Sequence, residues 1–391
     1  MRRRWGLVLS GGGARGAFQV GVLERLLQDP EFGTGPVAIS GTSAGGINAA
    51  LLAAGKSPTE MRQFWRDIAA DPPVVVNAQL FEDAIKTIAD LMAEDSLDVF
   101  GGGPALRRFV QRAQNHVPPR LGSMLALMTE YVLTSRFDLV GRFLGGLRHS
   151  ALADTSRLRE RLVAALGGET VHERGLRLAI NTVDVRTGRV IRYVTAATAL
   201  TREPDYHIVP AITVDMVLAS ASIPLLFPPV PVHDNLLWDG GLLVNTPLAP
   251  VVALGAEEIV TVLVTRTPGV ASPKPLRSIG EAVECTVDSL LENAYNVDRK
   301  LLFARNRIAR LEGGYRAVKL YKALRPEPEI CGPGSYLDFR RVMLEKLAAA
   351  GRRAADAWLA AGPPEDDISE PDALDATMPT RDTSRVGVGR E

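Results

Sequence analysis

The run Gly41-Thr42-Ser43-Ala44-Gly45 constrains the fold of this chain more than any other feature of its sequence. It has the form G-x-S-x-G, and it lies between the short apolar run 37–39 and a longer one at 47–52. A strand, a sharp turn and a helix in that order form a nucleophile elbow. Gly41 and Gly45 allow the backbone to bend where a Cβ would clash. The run therefore predicts an α/β fold in which the turn lifts the Ser43 hydroxyl clear of the sheet as a nucleophile, with the positive end of the following helix aimed at it.

The first 55 residues alternate between strand and helix patterns. This βαβα order predicts a mostly parallel sheet with helices on both faces, because each strand is followed by a crossover helix. Further strand patterns lie much later in the chain. The predicted elements are strands at 5–10, 37–40, 177–183, 190–194 and 258–264 and helices at 17–28, 46–54, 216–222, 275–312 and 338–360.

The segment between the two strand-rich regions has a different pattern. Helical periodicity dominates at about 60–165, which predicts a helical cap inserted into one domain spanning 1–361. The core of that domain lies at about 5–60 and 165–265, with C-terminal helices at 275–361. Within the cap, the amphipathic segment 125–147 permits either contact with lipid or packing on the core, and packing is the commoner use. Residues 362–391 are polar and aperiodic, which predicts a disordered tail.

Composition excludes some classes of function. Lysine plus arginine and aspartate plus glutamate each number 45, so the net charge is zero, and we expect no nucleic-acid partner. Two cysteines do not make a disulfide framework, which favours a reducing compartment. No apolar run is long enough to span a membrane. We therefore expect a cytoplasmic protein, for which peripheral contact with a membrane stays open.

A second glycine motif, Gly11-Gly12-Gly13-Ala14-Arg15-Gly16, follows the first predicted strand. A dinucleotide site would need an acidic residue at the end of the second strand, and that strand ends in Ser40-Gly41 instead. A phosphate-binding Walker loop would need a lysine that is absent. The better reading is an oxyanion hole, in which backbone N–H groups stabilise the negative charge that develops during acyl transfer. Neighbouring parallel strands would place both glycine loops side by side.

The base that activates the serine is harder to find. No histidine follows His233, whereas the α/β-hydrolase order places the catalytic histidine late in the chain. His233 therefore stays a reserve candidate. Asp239, in Trp238-Asp239-Gly240-Gly241, is the better one, because adjacent glycines permit close approach and burial beside Trp238 would raise its basicity.

Taken together, these motifs resemble those of the patatin-like phospholipases. The resemblance covers about residues 5–265 and also includes Ala221-Ser222-Ile223-Pro224 and the Asn245 and Pro247 that follow the D-G-G motif. It implies a three-layer α/β/α sandwich and calcium-independent hydrolysis of lipid acyl esters, of phospholipase A or lysophospholipase type, with no metal and no cofactor.

The resemblance also implies roles for individual residues. Ser43 would be the nucleophile and Asp239 the base of a Ser–Asp dyad that works without histidine. The oxyanion hole and the turns around it would be formed by Gly12, Gly13 and Ala14 with help from Arg15, and by Gly41, Gly45, Gly240 and Gly241.

Three alternatives remain open at this stage. The first is a general carboxylesterase, lipase or thioesterase that acts on soluble acyl esters. The second is a nucleotide-binding regulatory protein built on the Gly11–Gly16 loop, and the third is a lipid-binding scaffold that has lost its chemistry. The sequence specifies neither the head group, the positional preference, the oligomeric state nor a regulator.

Overall fold

A computed structural model of the chain describes residues 3–71, 75–76, 83, 86–87, 145–147, 151–198, 200–265, 278–312, 316–332 and 334–366. The chain divides into two compact units. The larger unit comprises 1–73, 155–224 and 229–391, and the smaller one comprises 74–154 and 225–228.

Eleven strands and eight helices are formed by the described residues. The strands are β1 (Trp5–Leu9), β2 (Ala38–Gly41), β3 (Val75–Val76), β4 (Ala153–Asp154), β5 (Arg177–Asp184), β6 (Val190–Val194), β7 (Tyr206–Ile208), β8 (Val230–Val232), β9 (Asn235–Asp239), β10 (Glu258–Val262) and β11 (Lys319–Leu320). The helices are α1 (Gly16–Leu26), α2 (Ala44–Ala53), α3 (Pro58–Ala70), α4 (Ser156–Leu166), α5 (Val214–Ser220), α6 (Leu248–Ala253), α7 (Ile279–Glu312) and α8 (Arg341–Ala360).

The sheet of the larger unit is mostly parallel, as the βαβα pattern predicted. Its strand order is β11-β10-β1-β2-β5-β6-β7, and β11 through β5 run parallel to one another. Strands β8 and β9 form an antiparallel hairpin. This hairpin joins the sheet at β5, with which β9 pairs antiparallel. The neighbouring strands β1 and β2 pair with Leu9 opposite Gly41, so the loops that follow them leave the sheet together.

Side chains of successive strand residues enter different apolar clusters. Leu7 and Leu9 of β1 belong to a cluster with residues of α1, α2 and α8, whereas Val8 belongs to a cluster with residues of α6 and α7. This alternation follows from the two-residue period of a strand. The larger unit is therefore a three-layer α/β/α sandwich, which confirms the predicted fold class.

Helices α1 and α8 approach each other closely enough to require glycine at their crossing. A Cβ on Gly21 would lie 1.9 Å from the Ala348 carbonyl oxygen, and one on Gly351 would lie 2.0 Å from that of Phe18. The same layer buries Trp358, whose ring packs against Phe32. The C-terminal helix is thus part of the core that supports the sheet.

Within the smaller unit, β3 and β4 pair antiparallel and Leu152 donates a backbone hydrogen bond to Leu225. Most of the predicted cap, including 125–144 of the amphipathic segment, lies outside the described residues. In the larger unit, residues 362–366 are the first five residues of the tail for which the sequence predicted disorder. Among them, Asp366 accepts two hydrogen bonds from the guanidinium of Arg299 in a buried ion pair. The part of the chain that the structure describes contains no helix long and apolar enough to cross a membrane.

Candidate active site

Ser43 occupies the turn between β2 and α2 in a backbone conformation that side chains rarely adopt. Its φ is 56° and its ψ is −128°. A positive φ is uncommon outside glycine, and strain of this kind concentrates at functional sites. The side chain is buried, with 5% of the residue exposed. The strained residue of the G-x-S-x-G run is therefore the serine itself.

The two glycines of the run are required by close approach of the backbone. A Cβ on Gly41 would lie 2.2 Å from the Gly45 carbonyl oxygen, and a Cβ on Gly45 would lie 2.3 Å from that of Leu9. Neither glycine has a positive φ. The turn can thus fold back on β1 and β2 only where both positions lack a side chain, which agrees with the clash argument from sequence.

Asp239 ends β9 and lies beside Ser43. Its backbone N–H donates to the Ser222 carbonyl at 3.0 Å, and its Oδ1 accepts the Gly241 N–H at 2.7 Å. Burial raises the pKa of Asp239 to about 7. Hydrogen bonds from the Gly241 N–H and from the Ser43 side chain act in the opposite direction and lower this pKa. A carboxylate with that pKa is a stronger base than an ordinary aspartate and still ionises near neutral pH.

Strand β5 brings the serine and the aspartate together. β2 and β9 pair one after the other with the same edge of β5, with Ile180 opposite Gly41 and Thr182 opposite Asp239, and β6 pairs with its other edge. Between these two, the Asn181 side chain donates to the Ser40 hydroxyl at 3.1 Å and to the Gly41 carbonyl at 2.9 Å. Strand β5 thus supports the serine turn through Asn181 and the aspartate through its pairing with Thr182.

Ser220, at the end of α5, completes this support. The Ser43 N–H donates to the Ser220 hydroxyl oxygen at 3.1 Å, and that hydroxyl donates to the Asn181 carbonyl at 2.7 Å. Sequence reasoning assigned no role to Ser220 or to Asn181. The available signal was an asparagine directly after the apolar run 178–180.

The glycine loop after β1 lies against the elbow. The Gly11 N–H donates to the Asn245 carbonyl at 3.1 Å, and a Cβ on Gly11 would lie 3.1 Å from the Cβ of Ser43. The Nδ2 of Asn245 is buried and has no hydrogen-bond partner among the described residues. The two loops therefore meet at the same end of the sheet, where the Asn245 side chain also lies.

A C-terminal segment covers the other side of the glycine loop. The Ala14 N–H donates to the Tyr336 carbonyl at 2.8 Å, and Gly13, with a φ of 54°, would place a Cβ 2.2 Å from that oxygen. Gly12 lies against Val264, whose Cγ2 would be 2.0 Å from an added Cβ. In this arrangement the Ala14 amide already has an acceptor, so stabilising an oxyanion there would require that bond to break.

The Arg15 side chain lies in a buried cluster with residues of α7 and of the segment around Tyr336. Its guanidinium contacts Glu284, the Asp288 carboxylate at 3.0 Å and the Ser335 hydroxyl at 2.9 Å, and it lies 3.7 Å from the centre of the Tyr336 ring. None of its surface is exposed. Arg15 therefore ties the glycine loop to α7 and to the segment around Tyr336.

The other predicted site residues are also placed. Gly240 packs on the Asn181 carbonyl, and Gly241 lies over the Asp239 carboxylate and Asn245. The reserve base His233 is exposed in the turn before β9, at the opposite end of that strand from Asp239. The described residues contain no group of three or more histidine, cysteine, aspartate or glutamate side chains arranged to hold a metal ion.

The sequence that forms this site matches a known protein family. A family model described as patatin-like phospholipase matches residues 7–252. No curated protein sequence matches the chain.

Three solved structures resemble the fold. VipD from Legionella pneumophila is 14% identical with a TM-score of 0.42, and the match covers 94% of this chain and 68% of VipD. The type III effector protein ExoU is 15% identical with a TM-score of 0.35, covering 92% of this chain and 53% of that one. ExoU in its complex with SpcU from Pseudomonas aeruginosa is 18% identical with a TM-score of 0.24, covering 92% and 59%. The chain thus spans about half to two-thirds of these proteins.

Proposed function

The chain belongs to the patatin-like phospholipase family, and on that premise we propose that it hydrolyses lipid acyl esters with Ser43 as nucleophile and Asp239 as general base. One observation carries the proposal: the buried Asp239 carboxylate accepts a hydrogen bond from Ser43 and has a pKa raised to about 7. A base with a pKa near the working pH is the one best suited to transfer a proton in both directions.

The reaction then follows from the two side chains. Asp239 accepts the Ser43 proton while the serine oxygen attacks the ester carbonyl, and the protonated Asp239 returns that proton to the leaving alcohol. Water then hydrolyses the acyl-enzyme with the same carboxylate as base. One carboxylate thus acts as base and, once protonated, as acid. Its burial sets its pKa and therefore its strength in both roles.

The oxyanion of each tetrahedral intermediate needs donors beside Ser43. We assign this role to the amides of Gly12 and Gly13, with the Ala44 amide, which opens α2 directly after the nucleophile, as a third donor. Losing one such donor typically costs about 3–4 kcal/mol of transition-state stabilisation. Ala14 and Arg15, which the sequence also predicted for this role, support the loop through Tyr336 and α7 in this arrangement.

Lipid product analysis tests the proposal. Wild type, Ser43→Ala and Asp239→Asn are incubated with phospholipid, lysophospholipid, triacylglycerol and acyl thioester, and the released fatty acid is measured by mass spectrometry. We expect release from phospholipid or lysophospholipid by wild type and a loss of about 1,000-fold or more in Ser43→Ala. Exposed Ser289→Ala is the control. Equal activity in Ser43→Ala would refute the assignment.

The same assay separates the alternatives. Preference for short soluble esters or thioesters over aggregated lipid would indicate a general esterase or thioesterase. A chelator should leave the rate unchanged, because the proposed chemistry uses no metal. Saturable binding of NAD or ATP, together with no ester hydrolysis, would favour a nucleotide-binding regulatory protein.

A further inference from the structure

The glycine loop Gly11–Arg15 is held at both ends by side chains of helices. At its start, the Gln19 Nε2 of α1 donates a hydrogen bond to the Ser10 carbonyl at 2.7 Å. At its end, the Asn48 Nδ2 of α2 donates to the Gly16 carbonyl at 3.0 Å, and it also donates to the Gln19 Oε1 at 2.9 Å. We call Asn48 and Gln19 the amide bridge, because together they tie both ends of the loop to α2.

The amide bridge is buried, and each of its polar atoms has a partner. Ser10, Gln19 and Asn48 have no exposed surface, and Trp65 of α3, whose Nε1 donates to the Asn48 Oδ1 at 2.9 Å, is 2% exposed. Glutamine and asparagine are mostly found on protein surfaces. A buried amide without partners would cost free energy, so apolar side chains would serve better here if packing were the only need.

The indole of Trp65 sets the direction of these hydrogen bonds. An indole N–H can only donate, so the Asn48 oxygen faces Trp65 and the Asn48 Nδ2 faces Gln19. The Gln19 oxygen accepts that N–H, which leaves the Gln19 Nε2 as the donor to Ser10. Asn48→Asp would therefore keep the shape of the side chain and replace its donor with an acceptor.

Both ends of the glycine loop pack on the turn that carries the nucleophile. The amide bridge reaches the loop from α2, which begins directly after Ser43. A Cβ on Gly45 would lie 2.6 Å from the Ser10 carbonyl oxygen, and a Cβ on Gly16 would lie 2.9 Å from the Cβ of Ala44. The position of the loop relative to Ser43 therefore depends on contacts at the same two ends that the bridge holds.

The loop needs such a restraint because glycine populates more backbone conformations than any other residue. The Ser10 carbonyl and the Gly11 N–H belong to one peptide group. Gln19 holds this group at its carbonyl, and the Asn245 carbonyl holds it at its N–H. The next amide along the chain is that of Gly12, so a rotation of the held peptide group would displace it.

We propose that Asn48 and Gln19 are positioning residues for the oxyanion hole, and that they place the amides of Gly12 and Gly13 relative to Ser43. This inference rests on the hydrolase function proposed above. Both side chains act through the ends of the glycine loop and not by contact with the substrate. Displacing a reacting or stabilising group by about 1 Å can cost about 100-fold in rate, so the loss of this restraint should reduce turnover.

The alternative role of the amide bridge is to hold helices α1, α2 and α3 together. In that case a variant would unfold more easily, and the molecules that stay folded would work normally. Asn306 of α7 provides a matched control, because it is also buried and its side chain donates to the Val318 carbonyl at 2.7 Å and accepts the Val318 N–H at 2.9 Å. These bonds hold the residue before β11, the strand at the edge of the sheet.

Steady-state kinetics of the full chain on a soluble 4-nitrophenyl ester test the proposal. We expect Asn48→Asp to lower kcat by about 30-fold or more with KM within about twofold, and Gln19→Met, which introduces no charge, to lower kcat by about tenfold. Asn306→Asp should keep the kcat of wild type, even if urea unfolding shows that it loses as much stability. Folded Asn48→Asp and Gln19→Met proteins that turn over at the wild-type kcat would overturn the proposal.

The matching thionoester, in which sulfur replaces the carbonyl oxygen, reports on the oxyanion hole itself. Sulfur accepts hydrogen bonds weakly, so the hydrolysis of this substrate gains less from well-placed amides. We expect the ratio of kcat/KM for the ester to that for the thionoester to fall by about tenfold in Asn48→Asp and in Gln19→Met. A smaller folded fraction lowers both rates equally and leaves the ratio unchanged, so an unchanged ratio overturns the positioning role alone. A wild type without Ser43-dependent hydrolysis overturns the hydrolase function together with this inference.

Discussion

In the proposed reaction, Asp239 must hold a negative charge where burial opposes that charge. The structure buries the residue almost completely, leaving the Gly241 amide and the Ser43 hydroxyl to stabilise its carboxylate. The result is a pKa of about 7. Its environment therefore bears on the pH dependence of the proposed reaction and on the stability of the fold.

The first consequence concerns the pH dependence of the reaction. Since Asp239 must be ionised to accept the Ser43 proton, kcat/KM should rise about tenfold per pH unit below pH 7 and level off above it. Initial rates on a soluble ester between pH 5 and 9 measure this. A rate that is already constant from pH 5 upward would show that the base is an ordinary carboxylate.

The second consequence concerns stability. An unfolded aspartate has a pKa of about 3.9, so the native state binds this proton more tightly, and stability is lost as pH rises from about 4 through 7. Asp239→Asn removes the buried charge and should stabilise the fold at pH 8 by about 2–4 kcal/mol, with little gain at pH 4. Urea unfolding at both values measures the difference. The exposed Asp234→Asn is the control, and an equal gain at both pH values would contradict the linkage.

Several site residues could be predicted from the sequence because their motifs are local. Gly41, Gly45, Ser43 and Asp239 each lie in a run of a few residues whose backbone demands are known. Asn181 could not be assigned a role in this way, because its function depends on the packing of three strands from distant parts of the chain.

At the scale of elements, the contact between the glycine loop and α7 is held by one arginine. Arg15 is fully buried between two acidic side chains of α7. Removing one partner of a buried ion pair usually costs about 3–5 kcal/mol, since the carboxylates stay behind without their counter-charge.

Arg15→Ala should therefore lower the free energy of unfolding by about 3–5 kcal/mol. Chemical denaturation measures this, and exposed Arg340→Ala, which breaks a surface pair with Asp338, should change little. Adding Glu284→Gln and Asp288→Asn should recover part of the loss. If Arg15→Ala unfolds like wild type, the cluster does not anchor the glycine loop.

The crossing of α1 and α8 gives a second prediction at this scale. An alanine at Gly351 would place a Cβ 2.0 Å from the Phe18 carbonyl oxygen, so the helices must separate. We expect Gly351→Ala to cost about 2 kcal/mol or more despite the better helix propensity of alanine. Gly168→Ala has open space around its added Cβ and is the control. Equal thermal midpoints for both variants would exclude a tight crossing.

Elements differed in how well the sequence predicted them. The first two strands and the first two helices are confirmed. Each of them has an apolar pattern long enough to be recognised within its own residues. Strands β7, β8 and β11 span only two or three residues, which is too short for a pattern to form. The antiparallel pairing of β9 with β5 depends on tertiary contacts that no local signal carries.

At the scale of the whole molecule, the family match and the folded unit have different extents. The match ends at residue 252, whereas the larger unit continues to α8 and to residues 362–366. The later segments contribute Val264 and Tyr336 to the surroundings of the glycine loop and Trp358 to the core. A contact such as that of Arg15 with Ser335 joins residues 320 positions apart, so it could not be predicted from sequence spacing.

The central claim is that Ser43, activated by Asp239, is the nucleophile, and covalent labelling with a fluorophosphonate tests it most directly. The account predicts a single adduct by intact mass, located on Ser43 by peptide mapping, that forms faster as pH rises through about 7. Labelling should vanish in Ser43→Ala, slow strongly in Asp239→Asn and stay unchanged in Ser289→Ala. Labelling of Ser43→Ala at the wild-type rate would contradict the account.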